Sequence, residues 1–85
     1  MKMTEYLGKY IFWFGSDNCI IEAYKNDDNL ILEMNDDMMH LSAFINVQSR
    51  ISKNPSTGIL TDMCYICSFD DRLGQYILKN FIKIK

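Results

Sequence analysis

Three apolar runs, residues 10–14, 19–24 and 30–34, alternate with two clusters of turn formers, Gly15-Ser16-Asp17-Asn18 and Asn26-Asp27-Asp28-Asn29. Gly, Asn and Asp reverse a chain within a few residues because they tolerate positive φ or bond their own backbone. Runs this short suit strands better than helices. The stretch from 9 to 35 therefore predicts an antiparallel three-strand meander whose greasy side needs cover, and the rest of the chain reads as that cover.

In residues 10–14 every side chain is apolar, so both faces of the first strand call for cover: the middle of a sheet, or a helix on one side and a loop or partner on the other. Side chains alternate along a strand, which sets Trp13 opposite Phe12 and Phe14. The second run puts Cys19, Ile21 and Ala23 on one face and Ile20, Glu22 and Tyr24 on the other. In the third, Leu30, Leu32 and Met34 oppose Ile31, Glu33 and Asn35. One face is core and the other half wet. Residues 1–8 read either as a helical turn or as an extension of the first strand.

Residues 36–53 carry aspartates first and Arg50 and Lys53 last, with Asn54-Pro55 as a stop, and Leu41, Phe44, Ile45 and Ile51 recur at helical spacing. A helix is predicted there, against a competing alternation at Ile45, Val47, Ser49 and Ile51. Residues 59–69 read as one strand with Ile59, Met63, Tyr65, Cys67 and Phe69 on one side. A closing helix is capped within 68–71 and carries Leu73, Tyr76, Ile77, Phe81 and Ile84, with Gly74 weakening it and a tail from Ile82 that also reads as extended. The expected class is α+β: an antiparallel meander of three to four strands packed against one or two helices, residues 1–85 forming one domain.

Composition narrows function mostly by exclusion. With 48% hydrophobic and 13% aromatic residues, the chain lies outside the range of disordered sequences. A net charge of −2 gives no general attraction to nucleic acid or an acidic membrane. The charge is unevenly distributed, however. From 15 to 43, Asp17, Glu22, Asp27, Asp28, Glu33, Asp36 and Asp37 stand against Lys25 alone, whereas 72–85 holds Arg72, Lys79, Lys83 and Lys85 without an acid. No run approaches the ~20 apolar residues of a membrane span, and no leader pattern opens the chain. Three cysteines, an odd number, suit a reducing compartment, so a cytoplasmic location is expected.

Cys64-Tyr65-Ile66-Cys67 has the spacing of zinc and thiol redox sites, and Cys19 and His40 would complete a ligand set. In a strand, however, residues three apart project to opposite faces, so buried structural thiols are the plainer reading. Asp36 and Asp37 precede His40 at helical spacing with Ser42 nearby, but an ion pair in a first helical turn accounts for them, and no catalytic set converges. Isolated glycines make no phosphate loop, the acidic pairs lack the alternation of a calcium loop, and Lys79 and Lys83 with Tyr76 and Phe81 are the sole hint of a phosphate contact.

The expectation is a non-enzymatic, cofactor-free and metal-free protein that binds another protein and modulates or inhibits it, with self-association as a companion. Small inhibitor and immunity proteins of phages and bacteria share this size and make-up, a likeness of class only. A zinc-structured or nucleic-acid-binding regulatory domain is the alternative. The contact residues expected are Trp13, if no part of the chain covers it, and Asp17, Glu22, Tyr24, Asp27, Asp28 and Glu33.

Overall fold

The computed structural model describes residues 4–14, 16–34, 38–51, 58–61 and 64–84. Six strands and two helices follow in the order β1 (Thr4–Phe14), β2 (Asp17–Asn26), β3 (Asn29–Met34), α1 (Met38–Ile51), β4 (Ile59–Leu60), β5 (Cys64–Ser68), α2 (Arg72–Asn80) and β6 (Ile82–Lys83). The strands form one sheet ordered β4-β5-β3-β2-β1-β6, antiparallel at every pairing. The class is α+β, as expected, but the sheet has six strands rather than three or four.

The meander forms where the turn residues place it. At the β2–β3 hairpin Asn26 pairs with Asn29, leaving Asp27 and Asp28 as the loop, and Asp27 takes φ 56°, a left-handed conformation that Asp accepts better than most residues. The strand expected over 59–69 is instead two, β4 and β5, in a hairpin closed by Thr61, whose N–H and hydroxyl donate to the Cys64 carbonyl at 2.8 and 2.9 Å. Ile59 therefore belongs to the outermost strand and is 68% exposed, while Tyr65 and Cys67 of β5 are buried. The first strand is not central: β1 lies beside the two-residue edge strand β6.

Both helices lie on one side of the sheet. Tyr10, Phe12, Cys19, Ile21, Ala23, Leu30, Leu32, Met34, Tyr65 and Cys67 form the covered face, packed with Leu41 and Ile45 of α1 and Leu73 and Ile77 of α2. Leu41 and Ile45, four apart, share a helix face, as do Leu73 and Ile77. Phe12 is where the layers meet. Its ring stacks on Phe81 at 4.6 Å and lies 5.8 Å from Phe44, which meets Phe81 edge-on at 5.2 Å. Gly74 is needed by packing: a Cβ there would sit 2.8 Å from Leu30 Cδ2 and 2.9 Å from Cys67 Sγ, so glycine lets α2 approach the sheet closely. The helix ends earlier than Ile84, because Phe81 turns extended (φ −74°, ψ 150°) and sends Ile82 and Lys83 along β1 as β6.

A buried polar chain ties α2 to the sheet. Asp71, 7% exposed, caps the helix by accepting from the Gly74 N–H at 3.0 Å, and it accepts from the Tyr65 hydroxyl at 3.4 Å. The Tyr65 oxygen in turn interacts with the Gly58 backbone N–H. Burial first, and then the Asp71 charge, raise both Tyr65 and the Cys67 thiol, the latter to about 12 from a usual 9.0. Both groups are acids held protonated in the fold, so their contribution is fully present below the unfolded values and is lost as pH rises towards the folded ones. Stability is therefore expected to fall from pH 9 upward by up to about 1.4 kcal/mol per pH unit for each group in that window. Urea midpoints at pH 8, 9.5 and 11 measure this, and Cys67→Ala should flatten the slope.

Candidate functional site: the uncovered face of the sheet

The face away from the helices is built by strand register. Across the sheet, Tyr6 pairs with Tyr24, Tyr24 with Ile31, Ile31 with Ile66 and Ile66 with Ile59, giving one continuous aromatic and aliphatic row. Two residues along, Lys9, Glu22, Glu33 and Cys64 form a charged row. Two further along, Ile82, Ile11 and Ile20 form a second apolar row, with Trp13 and Asn18 beyond it. Among the described residues, no helix covers this face. Tyr6 (45% exposed), Trp13 (56%) and Ile82 (55%) show how much apolar surface it leaves in water, a quantity monomeric proteins seldom leave contiguous.

Tyr6 reaches this face through a bulge. With Tyr10 and Phe12 in the core, strict alternation would send Tyr6 inward too. Between Tyr6 and Gly8 the register shifts, so that Leu7 and Gly8 together oppose the stretch that Ala23 alone would match, and Gly8 takes φ 136°. The extra residue reverses the facing of everything before it. Leu7 packs against the core, and Tyr6 lands beside Tyr24 with ring centroids 5.3 Å apart. Its hydroxyl donates to Glu22 Oε1 at 3.0 Å. Both phenols are held above their ordinary 10.0, by partial desolvation first and then by the Glu22 carboxylate, with Glu33 adding to the effect on Tyr24. Gly8→Ala is expected to cost about 1–3 kcal/mol, since an L side chain is strained at this φ. Loss of the Tyr6–Tyr24 ring contacts in an NMR spectrum would accompany it; a neutral substitution with those contacts intact would contradict the bulge.

The expected contact residues do not form one patch. Glu22, Tyr24 and Glu33 are neighbours at the centre of the uncovered face, and Trp13 is on the same face towards the β1–β2 turn. Asp27 and Asp28 are exposed at the opposite tip, nine residues along β2 from Asn18, about 30 Å at ~3.3 Å per residue. The Asp28 carbonyl accepts from the Phe69 N–H at 2.7 Å, a structural duty. Asp17 pairs with Phe14 at the start of β2, and its side chain lies outside the described residues. Tyr6, Ile11, Ile20, Ile31, Ile66 and Ile82 belong to the face but were not singled out in the sequence. Gly8, just ahead of the first apolar run, was the available signal for Tyr6; the others depend on which strands are neighbours.

Cys64 and Cys67 project to opposite faces, Cys64 opposite Glu33 and Cys67 beside Leu30 in the core. Among the described residues no group of three His, Cys, Asp or Glu side chains is placed to hold a metal ion; the side chains of Asp36, Asp37 and His40 lie outside that description. Phe81 is occupied by Phe12 and Phe44 rather than offered to a base. No described helix is long and apolar enough to cross a membrane. In comparisons with known proteins, no family model, curated protein or solved structure matches the chain significantly.

Proposed function

We propose that this chain is a small soluble protein-binding module of the cytoplasm that modulates or blocks a partner protein by docking through the helix-free face of its sheet. One observation carries this reading. A six-stranded sheet has one face sealed by two helices and the other lined by two apolar rows and Trp13, open to water among the described residues. Layered domains bury such faces against a second layer, and here the second layer comes from another molecule. Aromatic residues at the patch suit interface anchors, which combine large contact area with few rotatable bonds. Small phage and bacterial inhibitor and immunity proteins provide the analogy for the mode of action.

The test is affinity capture from host lysate in parallel with Trp13→Ser, Ile66→Thr and, on the opposite layer, Lys79→Ala. A captured protein retained by Lys79→Ala and lost by both face variants supports docking through this face. Capture indifferent to the face variants, or no specific capture by the wild type, counts against it.

A further inference from the structure

We propose that β6 is a guard strand: it occupies the stretch of β1's outer edge through which a second copy of this chain would pair, and its release opens that edge to strand pairing between copies. The edge is distinct from the open face proposed for docking, so neither reading depends on the other.

Without β6, β1 would end the sheet on that side. Its run Tyr10-Ile11-Phe12-Trp13-Phe14 is uncharged, aromatic and β-branched in composition and free of proline, the kind of segment that recruits a further strand when its edge lies open. Three features meet along this edge. At one end the bulge between Tyr6 and Gly8, with Gly8 at φ 136°, bends the strand out of line for pairing. Towards the other, Trp13 shares a cleft with Tyr76, Asn80 and Phe81, so the end of α2 stands beside it. The straight piece between them runs from Lys9 to Ile11, and β6 lies there. Ile82 pairs with Ile11, Lys83 pairs with Tyr10, and the Ile84 N–H donates to the Lys9 carbonyl at 2.8 Å.

The hold on β6 is its ladder rather than burial. Ile82 and Ile84 are 55% and 48% exposed, and Lys83 is exposed as well. Phe81, just before the strand, is anchored by its stack on Phe12 and by its own N–H, which donates to the Ile77 carbonyl at 3.0 Å. The strand can therefore swing away beyond Phe81 while the core stays closed. Few hydrogen bonds and little buried surface make such a segment open more readily than the sheet it borders.

The opened edge fits a second copy of itself. Hydrogen-bonded and non-hydrogen-bonded pairs alternate along an antiparallel ladder, and the Lys9 carbonyl is an acceptor, so Lys9 and Ile11 are the residues whose backbone groups face β6. Two antiparallel copies of β1, aligned Lys9 to Ile11 and Tyr10 to Tyr10, bring these same groups together. That register sets no like charges opposite one another and places two aromatic rings side by side.

Full-length proline variants test the assignment by register. Ile84→Pro removes the N–H that donates to Lys9, whereas Lys83→Pro removes one that points away from β1. Losing one hydrogen bond raises the open population about fivefold. Because both copies must open, association should tighten about twentyfold or more. Light scattering after size exclusion, over a range of concentrations, is expected to show Ile84→Pro as a dimer where wild type and Lys83→Pro remain monomeric, each still unfolding cooperatively. Adding Ile11→Lys, which sets a charge opposite Lys9 of the second copy, should return Ile84→Pro to a monomer; adding Ile66→Thr on the open face should leave it a dimer. Amide exchange in the wild type needs no variant to fold: the Lys9 and Ile11 amides, facing β6, should exchange about tenfold or more faster than those of Tyr10 and Phe12, which face β2. Ile84→Pro no more associated than wild type, Lys83→Pro associated equally, a dimer dispersed by Ile66→Thr but not by Ile11→Lys, or equal protection of these amides each overturns the guard role.

Discussion

Phe12→Ala is expected to remove about 3–5 kcal/mol of folding stability, the range for deleting a large buried ring. For 85 residues at 0.05–0.15 kcal/mol each, the whole fold is worth about 4–13 kcal/mol, so this single change takes about a quarter of it or more. The melting temperature should fall on the order of 20 °C. Phe12 is 4% exposed and is the sheet residue on which Phe44 of α1 and Phe81 at the end of α2 converge. Its loss leaves a void where two helices and the sheet share one contact. The neighbouring Trp13 provides the comparison: it is larger, yet 56% exposed on the other face, so Trp13→Ala should cost under about 1 kcal/mol. Denaturant titration of the two variants measures the division of labour between the faces, and a Trp13 variant as damaging as the Phe12 variant would show that the second face is part of the core.

Asp71→Ala comes next, at about 2–4 kcal/mol. The carboxylate caps α2 through the Gly74 N–H and accepts from the Tyr65 hydroxyl within the core. Removing a capping side chain costs about 1 kcal/mol, and leaving the buried phenol without its acceptor costs about 1–3 more. Asp71→Asn keeps an acceptor in place and should cost less than half as much. Equilibrium unfolding separates the two, and equal losses would mean that charge rather than hydrogen bonding dominates. The same substitutions should lower the alkaline sensitivity of the fold, because the Asp71 charge is a cause, after burial, of the raised Tyr65 and Cys67 values.

Together these variants separate the part of the molecule that holds the fold from the part available for binding. Phe12 and Asp71 serve the interface between sheet and helices; Trp13, Glu22 and Glu33 lie across the sheet from it. Loss of binding in a variant of the second group that still melts like wild type can be assigned to contact rather than to unfolding. This separation makes the proposed docking face testable in a domain with little stability to spare.

Local chemistry in the chain was enough to specify β2, β3 and the turn between them, because alternation at Leu30, Leu32 and Met34 and the Asn-Asp-Asp-Asn cluster act over a few residues. It also specified the two helices, through apolar spacing and, for α2, the cap at Asp71. Tertiary structure alone decided that β5 lies beside β3, that β4 and β6 close the two edges, and that Tyr6, Tyr24, Ile31, Ile66 and Ile59 line up in one row. The β3–β5 and β1–β6 partners are far apart in sequence, and their pairing is a property of no single segment. The Gly8 bulge falls between the two cases: the glycine is visible in the chain, but the reversal of Tyr6 exists only once β2 supplies the register against which it slips.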